Sequence, residues 1–362
     1  MKIFWRRGNE TLSYTHPETY FVQGVRGSGK SSLLEHIGIK YLEKNAIILD
    51  LFGSSDGESL GWLRAPSVKD LRVCLLKGSG VDVQSNYDVK KTEDLTLSDL
   101  EKYDILISSR PLYLNKDHEY YAVGKLTELL YRRFHYKRII YLLARECGSL
   151  WYSRVRISEV QSDQKSESIY LLREARHFGL ALGLDSLRYL SVDIDVRNHS
   201  DFLFLKSQGI TGLTEDLKFL YRFFAPGFVR SMKPWEFIVT TRTGSLGVGH
   251  FPYHDWHKRE GEDIIKSVGL QINYGEVLEL PKHKGLFETV GDEEHAKMIM
   301  MYAKQGLAMG KIAEQLGRST RTPKQHIDKH NSAIQRSGFC PICKRVGSEF
   351  QNKPAIRSKI AV

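Results

Sequence analysis

The 362 residues carry 53 Lys or Arg against 43 Asp or Glu, a formal net charge of +10, and 41% of them are hydrophobic. That content excludes an intrinsically disordered chain, and the lack of any apolar run of about 18 residues, with a polar start at Met1-Lys2-Ile3-Phe4-Trp5-Arg6-Arg7, points to a cytoplasmic protein with no membrane partner. Four cysteines are too few for a disulfide framework, and the basic balance points to a polyanionic partner.

The apolar run at 20–23 reads as a buried strand. It leads directly into Gly24-Val25-Arg26-Gly27-Ser28-Gly29-Lys30-Ser31, which fits the phosphate-binding pattern G-x-x-x-x-G-K-[ST] at every fixed position. Glycines let the backbone turn tightly so that consecutive N–H groups converge on phosphates, Lys30 supplies a cation, and the Ser31 hydroxyl can ligate Mg²⁺. A helix is expected to begin at Lys30, with Leu33, Leu34, Ile37 and Tyr41 at helical spacing, and its amino-terminal dipole adds to the anion site. Gly24 through Ser32 form the expected cradle for ATP with Mg²⁺.

Further strands are expected at 46–51, 103–108, 138–144 and 179–184, with helices near 121–134 and 166–177 between several of them, the alternation of an α/β fold with a mostly parallel sheet. The polar stretch at 66–100 reads as an insertion at the surface. A phosphate loop that drives hydrolysis also needs an acid at the end of another strand. In Ile139-Ile140-Tyr141-Leu142-Leu143-Ala144-Arg145-Glu146 the apolar run ends in Glu146, the candidate for activating the attacking water. A second acid usually precedes it, and here that position is Arg145. Asp50, Asp56 or Glu58 is left to complete the Mg²⁺ site.

In this order of features the stretch 20–206 resembles the FtsK/HerA superfamily of RecA-like DNA-pumping ATPases, through the loop at 24–31, the strand ending in Asp50 with Glu58 after it, the strand ending in Glu146, and Leu172-Arg173-Glu174-Ala175-Arg176-His177-Phe178-Gly179-Leu180 leading into a strand before Asp185-Ser186-Leu187-Arg188. The resemblance implies a RecA-like P-loop NTPase core, ATP hydrolysis, double-stranded DNA as partner, and a ring of identical subunits, a hexamer or pentamer. It also implies a polar sensor, for which Leu187 stands at the usual glutamine position and leaves Asp185, Ser186 or Arg188. Arg197 in Asp193-Ile194-Asp195-Val196-Arg197 is the candidate finger that reaches a neighbouring subunit's nucleotide, where a guanidinium would stabilise charge on the transferring phosphoryl group. Viral packaging ATPases belong to the same set, which makes a virus or mobile element a candidate source.

Between 212 and 290, a hairpin is expected around Arg242-Thr243-Gly244-Ser245-Leu246, followed by an aromatic, His-rich and basic loop at 250–259 whose spacing fits no standard metal site. From Glu293 to Val362 there are 13 Lys or Arg against 5 Asp or Glu, so most of the net charge lies in the tail. Helices are expected at 293–305 and 309–316, with a third capped by Thr322 and opened by Pro323, in a helix-turn-helix pattern. The third would present Arg321, Lys324, Gln325, Asp328 and Lys329 to DNA, a helical bundle for protein contacts being the alternative. His326 and His330 share one face of that helix, and Cys340-Pro341-Ile342-Cys343 is a knuckle of the kind that wraps a tetrahedral ion. The four are a candidate structural Zn²⁺ site, against the plain alternative of free thiols and surface histidines.

The sequence thus divides into a RecA-like P-loop domain at 1–211, an extension at 212–290, and a small helical zinc-binding domain at 291–362. It reads as an ATP-hydrolysing DNA translocase or packaging motor, with an ATP-dependent DNA-binding switch as the alternative.

Overall fold

The structure is a computed structural model that describes residues 1–51, 57–133, 136–153, 158–257, 263–276, 292–316, 321–340 and 342. The chain divides into two compact units, Met1–Leu280 and Pro281–Val362. Strands of the first are β1 (Lys2–Arg7), β2 (Thr19–Gln23), β3 (Ile47–Leu51), β4 (Val73–Lys77), β5 (Val81–Gln84), β6 (Asp88–Lys91), β7 (Ile105–Ser108), β8 (Ile140–Ala144), β9 (Leu180–Ser186), β10 (Phe202–Leu205), β11 (Glu236–Thr241), β12 (Leu246–His250) and β13 (Gln271–Tyr274). Its helices are α1 (Lys30–Leu42), α2 (Leu97–Lys102), α3 (Lys116–Tyr131), α4 (Glu159–Glu174), α5 (Ile194–Asn198), α6 (Pro226–Ser231) and α7 (Ile264–Ser267).

Eleven of these strands form one sheet in the order β1-β12-β11-β10-β2-β9-β8-β3-β7-β4-β6. From β10 to β6 every pair is parallel, and β11, β12 and β1 continue the sheet antiparallel. Parallel strands covered on both faces must be apolar throughout, and β2 (TYFVQ) and β8 (IYLLA) are buried at every position. Alternation assigns the faces. Tyr20, Val22, Ile48, Tyr141, Leu143 and Ala181 join one core with Leu33, Leu34, Ile37 and Tyr41 of α1. Phe21, Ile47, Leu49, Ile140, Leu142 and Leu182 join the opposite core with α3 and α4. Burying each such side chain contributes about 1.5–3 kcal/mol, and the two cores place the carboxyl ends of β2, β9, β8 and β3 side by side.

Within the stretch 66–100, expected as an insertion at the surface, β4 and β6 join this sheet and β5 pairs with β13 in a separate two-stranded sheet. β4 is almost wholly buried and pairs with β7, and β6 closes the edge. Its Lys and Asp content reflects an edge strand exposed to water, which needs no apolar run. The hairpin expected after 235 forms as β11 and β12 around Gly244, at φ 85°, and it too belongs to the main sheet, paired to β10 and β1. The aromatic loop packs inward, with Trp256 against Trp62 at 5.8 Å between ring centroids and His257 buried.

The second unit holds α8 (Asp292–Ala303), α9 (Met309–Leu316) and α10 (Arg321–Ser337). They enclose a small core of Met298, Ile299, Met301, Ile312 and Ile327. Among the described residues no helix is long and apolar enough to cross a membrane.

Candidate functional site

The loop after β2 enters α1 at Lys30, through two glycines in the left-handed region, Gly27 at φ 73° and Gly29 at φ 82°. At Gly29 a side chain is excluded twice, by the backbone angle and because a Cβ would lie 2.3 Å from the Pro234 carbonyl oxygen. The base of the loop is pinned on both sides. Gly24 N–H donates to the Ser186 carbonyl of β9 at 3.3 Å, and Val25 N–H to the Ser207 carbonyl beyond β10 at 3.0 Å. Ser28 Oγ and Lys30 Nζ both donate to the Val25 carbonyl, at 2.7 and 3.3 Å. Lys30, Ser28 and Ser32 are buried, Ser31 is half-buried, and Arg26 and Gly27 are exposed.

Asp185, near the end of β9, lies between this loop and β8. Its Oδ2 accepts from Ser31 Oγ at 3.2 Å, and its Oδ1 accepts from the backbone N–H of Glu146. It is almost wholly buried, and burial pushes its carboxyl above the ordinary aspartate range, with Lys30 acting against that shift. Glu146 is exposed and sits in the left-handed region at φ 47°, ψ 46°. A residue other than Gly, Asn or Asp held there carries strain of about 1–3 kcal/mol, which the hydrogen bond to Asp185 offsets.

Of the acids expected to complete a Mg²⁺ site, Asp50 and Glu58 lie beside Arg145. Arg145 is fully buried, its Nη2 2.6 Å from Asp50 and 2.8 Å from Glu35 of α1, and its Nη1 3.5 Å from Glu58. Asp50 also accepts from Trp62 Nε1 at 2.6 Å, and His257 Nε2 lies 3.6 Å from Glu35. Asp50 and Glu35 hold the guanidinium charged against its burial. Asp50 thus pairs with Arg145 in the core on the α1 side of the sheet. Glu58 flanks the same cluster, and Asp56 lies outside the described residues.

Arg188 is exposed two residues beyond Ser186, on the loop's side of the sheet. Arg197 lies elsewhere. It belongs to α5, which leads into the amino-terminal end of β10, whereas the loop leaves the carboxyl end of β2. There its Nη1 meets Asp216 at 3.4 Å and its guanidinium lies over the Tyr189 ring at 4.9 Å. Sequence reasoning did not single out Lys206. It is buried at the end of β10, donates to the Pro234 and Glu236 carbonyls at 2.7 and 2.5 Å, and is pushed down to about 7 by burial. It thereby holds the segment whose Pro234 carbonyl abuts Gly29. Its only signal in the sequence was a lysine closing the apolar run Phe202-Leu203-Phe204-Leu205.

In the tail, Lys324, Gln325, Asp328 and Lys329 are exposed on one face of α10, while Ile327 and His330 are buried on the other. Among the described residues the structure brings together His295, His330 and Cys340, two of which belong to the set expected from spacing. His326 instead meets His295, Nδ1 to Nδ1, at 2.9 Å. Cys343 lies outside the described residues, and Arg321 is the first residue of α10.

The sheet and loop define a mostly parallel α/β fold consistent with a P-loop ATPase core. No protein-family model matches the sequence, and no curated protein matches it. Among solved structures the chain is similar to B204, the DNA-packaging ATPase from Sulfolobus turreted icosahedral virus, at 17% identity over 66% of this chain and 100% of that one, with a TM-score of 0.39. It is also similar to the genome-packaging NTPase B204 from Sulfolobus turreted icosahedral virus 2 in complex with AMP, at 15% identity over 67% and 100%, with a TM-score of 0.40. A third likeness is to the cytoplasmic domain of the type VII secretion ATPase EccC of Thermomonospora curvata, at 11% identity over 67% of this chain and 24% of that one, with a TM-score of 0.38.

Proposed function

We propose that the chain is a P-loop ATP hydrolase that works as an oligomeric double-stranded DNA translocase, in the manner of a genome-packaging motor. The observation that carries this reading is the meeting of the Lys30–Ser31 loop, Asp185 and Glu146 at the carboxyl ends of three adjacent parallel strands, β2, β9 and β8. The loop N–H groups and Lys30 bind the phosphates. The Ser31 hydroxyl and the buried Asp185 carboxylate are hard oxygen donors that suit Mg²⁺, which when bound would neutralise phosphate charge. Glu146, tied to Asp185 through its backbone, takes the proton of the attacking water, and Arg188 lends positive charge beside the loop.

Arg197, at the other end of the strands, acts as a finger only on a neighbouring copy, which calls for a ring. The exposed face of α10, with Lys324, Gln325 and Lys329 and with Arg321 at its start, holds duplex DNA, and a structural Zn²⁺ stiffens that small unit. The test is ATP turnover by the full chain with and without long linear duplex, together with displacement of a triplex-forming strand. DNA-stimulated turnover and strand displacement are expected, both lost in Lys30→Ala. Undiminished turnover by Lys30→Ala would remove the phosphate-loop assignment, and DNA-stimulated hydrolysis without displacement would move the protein to an ATP-gated DNA switch.

A further inference from the structure

We propose that His295, His330 and Cys340 are ligands of the tail's Zn²⁺ ion, and that His326 is the residue that positions His295 and not itself a ligand. This rests on reading the tail as a zinc-bound unit and departs from the ligand set that His-x-x-x-His spacing suggests. The three side chains come from separate places, α8, α10 and the segment after α10, yet all are buried, at 0%, 3% and 1% exposure. Their donor atoms lie within 4.8 Å of one another. His295 Nε2 is 3.7 Å from Cys340 Sγ. A tetrahedral ion with Zn–S and Zn–N bonds of about 2.3 and 2.05 Å sets that edge at about 3.6 Å, so the pair is already spaced for it.

The helices explain the convergence. His295 lies on the inner face of α8 with Met298 and Ile299, three and four residues on, and His330 follows Ile327 by three on α10. His326 contacts the far nitrogen of His295. One of the two Nδ1 atoms, 2.9 Å apart, must carry the proton, and the contact leaves His295 Nε2 turned toward Cys340. That is the arrangement by which a second residue orients a metal-bound imidazole. In the sequence, Cys343 stands at C-x-x-C spacing from Cys340. Zinc bound in this way would tie the segment beyond α10 to two helices of a unit too small to have much core of its own.

The 362-residue chain is expected to contain about one zinc per chain by elemental mass spectrometry. His295→Ala should lose it, and His326→Ala should keep it while binding about 10–100-fold more weakly. Because His295→Ala removes a buried group, a gain of signal stands beside it. After Co²⁺ exchange, His295→Cys should keep the metal and strengthen the thiolate-to-cobalt charge-transfer band, whereas His326→Cys should leave that band unchanged. A stronger band in His326→Cys and none in His295→Cys would overturn the ligand assignment while leaving zinc in place. A wild-type chain that neither contains nor takes up zinc or cobalt would overturn the zinc reading itself, with no bearing on the ATPase.

Discussion

Two groups of buried charge lie side by side on the α1 face of the sheet. Around Arg145, three acids from α1, β3 and the stretch after β3 close on one guanidinium, so its charge is matched within the core. Around Asp185, one buried carboxylate faces a serine hydroxyl and a backbone N–H, and Lys30 is the nearby cation that lowers its pKa most. The first gathers its charges on one another, whereas the second leaves one carboxylate beside the phosphate loop. On the proposed reading, Asp185 would be the acid that orders Mg²⁺ where Arg145 stands at the usual place of such an acid.

The comparison fails first if Glu146 is not the base. Glu146→Gln keeps the shape of the turn and its bond to Asp185 and removes only basicity, so nucleotide binding should persist while single-turnover hydrolysis falls about 10²–10⁴-fold. Normal hydrolysis would return the search to another acid. A change of the next size is expected at the closed cluster. Arg145→Met leaves Asp50 and Glu35 buried without their counter-ion and should destabilise the chain by about 3–5 kcal/mol in denaturant melts. Adding Asp50→Asn should recover part of that loss, and failure to recover any would mean that the cluster is held by something other than charge compensation.

The smallest effect separates the two groups. Because burial raises the Asp185 pKa in the folded state, its carboxylate costs ligand-free stability, and that cost appears as pH rises through the folded pKa. Asp185→Asn should therefore melt higher than wild type at neutral pH without ligand, the gap shrinking as the solution is acidified toward the pKa of an unfolded aspartate. The same variant should bind Mg²⁺-nucleotide about 10–100-fold more weakly. A variant less stable at neutral pH would place Asp185 with the closed cluster after all.

How much of this could be read along the chain differs by element. The phosphate loop is legible because its demands are local: tight turns, a cation and a hydroxyl at fixed spacing on one short segment. β2, β3, β7, β8 and β9 are legible because strands buried on both faces are apolar at nearly every position. β1, β4 and β6 escape notice because two are edge strands with a polar side and the third is set among Lys, Asp, Ser and Gly. In the tail, three helices lie close to where three were expected, although α10 already contains Arg321, Thr322 and Pro323, so Thr322 is not its cap; His295 carries no spacing signal, since its companions lie 35 and 45 residues away.

What the chain determines by itself is thus the set of segments and the one anion site that a single segment can build. What only the tertiary structure decides is which buried charges meet. Asp50, Arg145 and Asp185 each alternate onto the α1 face of their own strands, but strand order, with β8 beside β3 and β9 beside β2, sends Arg145 to Asp50 and Asp185 to Ser31. A buried charge is tolerated only against a partner, and that partner is supplied by the neighbouring strand or helix, not by the neighbouring residue.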